Sequence, residues 1–206
     1  MRQHFNLVIL IICFIWGFDK IYAQSNSRNF RFKDCDIVFQ SSKSSQSPFL
    51  ALLTNSIYTH CGIVTIKGNK PYVIEAVKKV REVPLEQWVK NGRNGSFAVA
   101  RYKGAISNSE RKLIMDFAKK QIHKDYDYLF QWSNSKMYCS ELVWKAYEKG
   151  NIKISGTKKF TDYPIWLPIA QKEINRRYKK DAFNKNEMVV SPADIFESSR
   201  VDIVLR

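Results

Sequence analysis

An α+β fold, a small antiparallel sheet packed against helices, is predicted by three features of this 206-residue sequence. Short β-rich runs come early, at residues 36–40, 59–66 and 72–77, and the turn signal Gly68-Asn69 joins the last two as a hairpin. A capping box, Ser107-Asn108-Ser109-Glu110, opens an amphipathic helix. A second helix begins at Cys139, with apolar residues at 139, 142, 143, 146 and 147 spaced as on a helix packed against a core.

In chain order, residues 1–23 read as a secretory signal peptide. Arg2 and His4 form a weakly basic start, an apolar run follows over 7–18, and Ala23 offers a small residue at the cut. The run is about twelve residues, short of the roughly twenty that span a bilayer, so cleavage is expected over retention as an anchor. The mature chain is then periplasmic or extracellular, beginning at Gln24. Residues 24–33 read as a polar, basic, flexible leader, and 34–206 as a single domain with a C-terminal extension. Export favours paired cysteines, yet Cys35, Cys61 and Cys139 are odd in number, so one stays free, binds a metal or pairs between chains.

The first strand, 36–40, runs into a serine-rich stretch, 41–48, too polar to pack, and then a short helix over 48–54. After the hairpin, 83–88 reads as a helical turn with Pro84 in its first position. A strand follows over 96–102, then the capped helix to about His123, with Leu113, Ile114, Phe117, Ala118 and Ile122 on its apolar face. A polar loop, 133–136, leads to the Cys139 helix, and Gly150 supplies the left-handed residue that stops it. Residues 151–187 are mixed, with a helix near 169–178. Ser191-Pro192-Ala193-Asp194 starts another helix, and 201–205 is a last strand.

The formal charge is +15. It suits anionic envelope material such as cell-wall polymers or acidic lipids, with peripheral membrane contact, but the basic residues are dispersed and fit a solvated surface as well. No zinc-finger, helix-turn-helix or RNA-binding signature points to specific nucleic-acid recognition.

Three residues compose a cysteine-nucleophile site: His60 opening one strand, Glu75 in the next, and Cys139 at a helix N-terminus, where free N–H groups and the dipole favour thiolate. Taken by spacing alone, a buried hydrophobic Cys139 and ordinary strand roles for His60 and Glu75 are the favoured readings. Cys61 follows His60 on a strand, points to the opposite face, and is not the expected nucleophile. It could bridge Cys35 if the first two strands pair closely.

The motifs Asp36-Ile37-Val38-Phe39, Thr59-His60-Cys61-Gly62-Ile63-Val64, Val73-Ile74-Glu75-Ala76, Tyr126-Asp127 and Tyr138-Cys139-Ser140-Glu141-Leu142-Val143 occur in that order. The set resembles the YiiX/YaeF-type permuted papain-like amidases of the NlpC/P60 superfamily, in which the His strands precede the Cys helix. The resemblance covers about 34–147, with an echo at 191–194, and departs from the family at Cys35, where a glycine is usual. It implies a circularly permuted NlpC/P60 fold with Cys139 as nucleophile, His60 as base and Glu75 orienting the imidazole. Tyr126 would lie beside the oxyanion, and neither a metal nor an organic cofactor is needed. It implies hydrolysis of amide bonds, either in cell-wall peptides or in lipid-like acyl amides or esters. Acyl transfer, thioesterase action or a non-catalytic envelope-binding role are the alternatives. Trp132, Trp144 and Trp166 would either line an apolar groove or pack in the core.

Overall fold

The computed structural model describes residues 30–178 and 182–206; the expected signal peptide and residues 24–29 of the leader lie outside the described residues. Five strands come first: β1 Ile37–Ser42, β2 His60–Lys67, β3 Lys70–Ala76, β4 Val80–Pro84 and β5 Gly92–Tyr102. Lys158–Lys159 (β6) and Met188–Val189 (β7) form a separate ribbon, and Val201–Leu205 is β8. The main sheet is antiparallel, ordered β4-β3-β2-β1-β5-β8. The helices are α1 Ser47–Thr54, α2 Leu85–Asn91, α3 Asn108–Lys120, α4 Cys139–Lys149, α5 Pro168–Arg177 and α6 Pro192–Phe196.

Both faces of the sheet are covered, which is why its central strands read as unbroken apolar runs. On one face Ile37, Phe39, Cys61, Ile63, Ile74, Ala76 and Ala100 share a core with α3 and α4. On the other, Val38, Val64, Val73, Val83 and Val99 pack with Trp88 of α2. Phe30 and Phe32, which the sequence groups with the leader, rest on this second core, Phe32 stacking on Phe97. Each fully buried Ile, Val or Phe stabilises the fold by about 1.5–3 kcal/mol.

The elements differ from expectation at identifiable residues. Most of the serine-rich stretch stays at the surface as expected, with residues 43–45 exposed, but β1 continues through Ser42 and Ser47 is buried, its hydroxyl sharing a 2.5 Å hydrogen bond with Thr59, whose oxygen also accepts from Ser42 N–H. Ser47 can be buried because Thr59 satisfies its hydroxyl. Strand β4 was hidden in the sequence by Arg81 and Glu82 between its inward Val80 and Val83, and Pro84 closes it as the N-cap of α2, one residue before the first helical position. Leu113, expected on the buried face of α3, is 47% exposed. Gly150 is not left-handed (φ −83°); Asn151, at φ 58°, takes that conformation. Gly150 serves close approach instead, since a Cβ there would stand 2.7 Å from Ile114 Cγ1 where α3 crosses α4.

Cys35, Cys61 and Cys139 are all free and buried. A Cys35–Cys61 bridge is ruled out by register. Cys61 faces Phe39, four residues along β1 from Cys35, roughly 13 Å at 3.3 Å per residue and beyond disulfide reach.

Candidate active site

The hairpin β2–β3 pairs Ile63 with Ile74 and Val64 with Val73. Alternation then places His60, Gly62 and Val64 on the same face as Val73 and Glu75. Gly62 has a role in that meeting: a Cβ there would lie 2.5 Å from Val73 Cγ1 and 3.5 Å from Glu75 Cβ. The result is a buried hydrogen bond of 2.6 Å between His60 Nε2 and Glu75 Oε2. The other carboxylate oxygen accepts from Arg81 of β4, through Nε at 2.9 Å and Nη2 at 2.7 Å. Trp88 lies against the imidazole, the rings 6.1 Å apart and nearly parallel. His60 is thus held on its Nε2 side, and Nδ1 is left for a different partner.

That partner comes from α4. Cys139 is its first residue, where N–H groups have no intrahelical acceptor and the dipole is positive. Because His60 is the first residue of β2, the Cys139 sulfur stands at the strand end. There it meets both the His60 ring and Cys61, which projects to the opposite face. Hydrogen bonding from Cys61 and then the His60 charge outweigh burial and hold the Cys139 thiol well below its ordinary value. Burial opposes a charge on His60, but Cys139 and Glu75 outweigh it and push the imidazole up to about 10. Burial raises Glu75 as well, and His60 with Arg81 reverse this to a net lowering. The arrangement favours thiolate, imidazolium and carboxylate side by side.

Cys139 also lines a groove of about 500 Å³, counted with its solvent-open side, walled by Leu50 and Leu53 of α1, Tyr126, Phe130, Tyr163 and Val190. Tyr126 is buried, and burial followed by the nearby Cys139 charge pushes its hydroxyl well up, so it stays a donor. Among the described residues the tryptophans do not wall this groove. Trp132 and Trp144 pack edge to face 5.1 Å apart, and Trp166 is 74% exposed.

The start of α4 is braced from two directions. Ser140 Oγ donates to Val190 O at 2.7 Å, and Val190 N–H donates to the Tyr138 hydroxyl, docking the Ser191 capping box and α6 beside the thiol. Glu141, fully buried, accepts from Tyr138 N–H and from Lys145 Nζ at 2.7 Å. Burial pushes Glu141 up to about 7 despite Lys145. Arg81 and Trp88 escaped the sequence reading, and Cys61 was read only as facing away from His60. Arg81 lies in the strand that its own charge and that of Glu82 masked, while Trp88 depends on where α2 docks.

Three comparisons bear on this site. A family model described as "Permuted papain-like amidase enzyme, YaeF/YiiX, C92 family" matches residues 31–205. The Escherichia coli K12 protein named "Uncharacterized protein YiiX" is 36% identical over 172 residues, 83% of this chain and 85% of its own length. The crystal structure of YiiX from Escherichia coli O157:H7, described as a metalloprotein, aligns with a TM-score of 0.81 at 35% identity, covering 86% of this chain and 98% of that one.

Proposed function

The chain belongs to the permuted papain-like amidases of the YaeF/YiiX type, a family of cysteine hydrolases, and from that membership we propose that it cleaves the amide bond of an apolar acyl compound through Cys139, His60 and Glu75. In this reading the Cys139 thiolate attacks the acyl carbon. The oxyanion is met by first-turn N–H groups of α4 and the Tyr126 hydroxyl. His60, charged and presenting Nδ1, gives its proton to the leaving amine, which departs as the acyl-enzyme forms. The neutral ring then takes a proton from water as it attacks the thioester, and Cys139 is released. Glu75 keeps the ring oriented and stabilises its charge.

The observation that carries the substrate class is the groove on which Cys139 opens. Its walls are mainly aliphatic and aromatic, with the hydroxyls of Thr54, Ser140 and Ser191 among them, and none of the described residues that line it is an acid, lysine or arginine. A cell-wall peptide stem would lose the hydration of its charged groups there without recovering it, whereas an alkyl chain gains about 0.8 kcal/mol per buried CH₂. This favours a lipid-like acyl amide over a cell-wall peptide. The test is to expose the protein to N-acyl amides of graded chain length and to soluble cell-wall peptides, then weigh the Cys139 peptide after acid quench. A fatty acyl adduct that strengthens with chain length is expected. A peptidyl adduct only, or none on Cys139 while another residue is acylated, overturns the proposal.

The Escherichia coli relative is described as a metalloprotein. Here His60 Nε2 is engaged by Glu75, and among the described residues no group of three or more His, Cys, Asp or Glu is placed to hold a metal. No step above runs through an ion. The pattern of residues 1–23 supports action outside the cytoplasm, and the dispersed basic surface supports association with anionic envelope material. Intact mass of exported protein beginning at Gln24 is the expected result; a chain still carrying 1–23 would point to an anchored form.

A further inference from the structure

The reading above leaves Cys61 without a task. It is fully buried, in the strand directly after His60, and its thiol lies against the Cys139 sulfur. The main-chain N–H of Cys61 also points at that sulfur, so the two residues approach through backbone as well as side chain. Both belong to the same core, one on β2 and one at the start of the helix packed over it. A lone buried cysteine reads as a small hydrophobe. Two thiols in contact, one lining an open groove and the other enclosed behind it, are a different arrangement.

We propose that Cys61 and Cys139 form a site of reversible oxidation by hydroperoxides, in which Cys61 resolves an oxidised Cys139 as an intramolecular disulfide. The Cys139 thiolate attacks one peroxide oxygen, the O–O bond breaks, and hydroxide (or an alkoxide) leaves, giving Cys139–S–OH. The Cys61 sulfur then attacks the sulfenic sulfur and its proton leaves with the hydroxyl group as water, forming Cys139–S–S–Cys61. Two electrons pass from the thiol pair to the peroxide. A small-molecule dithiol reverses the change, taking up the disulfide and returning both thiols.

The asymmetry of the pair suits these roles. Burial holds the Cys61 thiol protonated, so it is not the residue a peroxide attacks, while Cys139 is the activated sulfur at the groove. Hydrogen peroxide is water-sized and the groove admits it. Cys35 cannot compete. It sits four residues along the neighbouring strand from the partner of Cys61, and burial pushes its thiol up to about 12. The disulfide would remove the thiolate and tie up the strand end beside His60, silencing the site until it is reduced.

The experiment treats the reduced full-length protein with hydrogen peroxide, then quenches with a thiol-alkylating reagent. Peptide masses under non-reducing conditions are expected to show Cys61 linked to Cys139, with Cys35 alkylated. Dithiothreitol should restore about nine-tenths or more of Cys139 labelling in the parent protein. In Cys61→Ala the same exposure should carry Cys139 on to sulfinic and sulfonic acids, with under about one-tenth recovered. Cys61→Ser repeats the test if the alanine variant fails to fold. Equal over-oxidation in parent and variant, or a bridge from Cys139 to Cys35, overturns the proposal. The readout is sulfur mass rather than turnover, so failure here leaves the hydrolase reading standing, and loss of that reading leaves the disulfide testable.

Discussion

Replacing Glu75 with glutamine tests the polar chain behind the thiol more sharply than deleting any member of it. The Glu75 carboxylate meets donors on both sides, His60 Nε2 at 2.6 Å and Arg81 at 2.7 and 2.9 Å. Both oxygens are therefore needed as acceptors. An amide has one oxygen, and its NH₂ must face either Arg81, donor against donor, or His60. Arginine cannot give up its proton, so the amide oxygen turns to Arg81 and the NH₂ to the imidazole. The ring must then accept at Nε2 and carry its only proton on Nδ1, which leaves it neutral beside Cys139. What is lost is one charge-assisted hydrogen bond to imidazolium, about 1.5–3 kcal/mol. At 1.36 kcal/mol per unit, the thiolate titration should move up by about 1–2 pH units. Its rate of alkylation by iodoacetamide, followed against pH in folded protein, reads that midpoint directly. Arg81→Leu is the companion: its side chain is 43% exposed, and the shift should be in the same direction but below about 0.5 unit because solvent screens it. A Glu75→Gln midpoint within about 0.3 unit of the parent would show that the carboxylate does not support the charge on the ring.

Under the proposed roles, turnover should have an alkaline limb near 10, where His60 loses the proton the proposal gives to the leaving amine, and an acid limb far below an ordinary thiol. Stability follows the same groups with opposite signs. The raised His60 contributes fully below its ordinary value of about 6.5 and is lost as pH rises through about 10; the lowered Glu75 contributes above about 4.3 and is lost as pH falls through its folded value. Urea midpoints across pH check both limbs. Gly62→Ala must move β3, since the new methyl would meet Val73 Cγ1 at 2.5 Å and Ile74 O at 2.9 Å. A loss of about 1–3 kcal/mol in urea unfolding is expected. Lys145→Met leaves Glu141 buried without its cation, about 3–5 kcal/mol if the acid stays ionised. Glu141 is already raised to about 7, and a raised acid favours folding at low pH and loses that contribution as pH climbs. The deficit should be small at about pH 5 and near full at about pH 8, and a pH-independent deficit would refute the assignment.

His60, Glu75 and Cys139 were legible as a group because each lies in a short motif tied to one element: a strand start, a strand interior and a helix start. The helical stripe of α4 and the capping box of α3 were legible for the same reason, since both are local patterns. What escaped needed pairing or docking. Arg81 reaches Glu75 only because β4 pairs Arg81 with Glu75 across the ladder, and that strand was masked by two adjacent charges. Burial of Ser47 was not legible because Thr59, which satisfies its hydroxyl, is distant in sequence. Gly150 drew attention as a helix stop, yet its missing side chain answers to Ile114 on a neighbouring helix, and no local rule for Asn151 distinguishes the two. The apolar groove was invisible, being assembled from α1, the 126–130 loop and the segment before α6.

The ion pair and the sulfur differ in how far along the chain they lie. His60 and Glu75 are 15 residues apart on one hairpin. The helix that delivers Cys139 is fastened through its Tyr147 hydroxyl to the carbonyl of Cys35, 112 residues away. A hairpin closes in about 1–10 μs, while contacts spanning so much chain wait on far slower loop closure. The ion pair can therefore close within one hairpin, whereas the sulfur needs distant chain in place. A chain folded only as far as that hairpin would hold the imidazole and its carboxylate with no sulfur beside them.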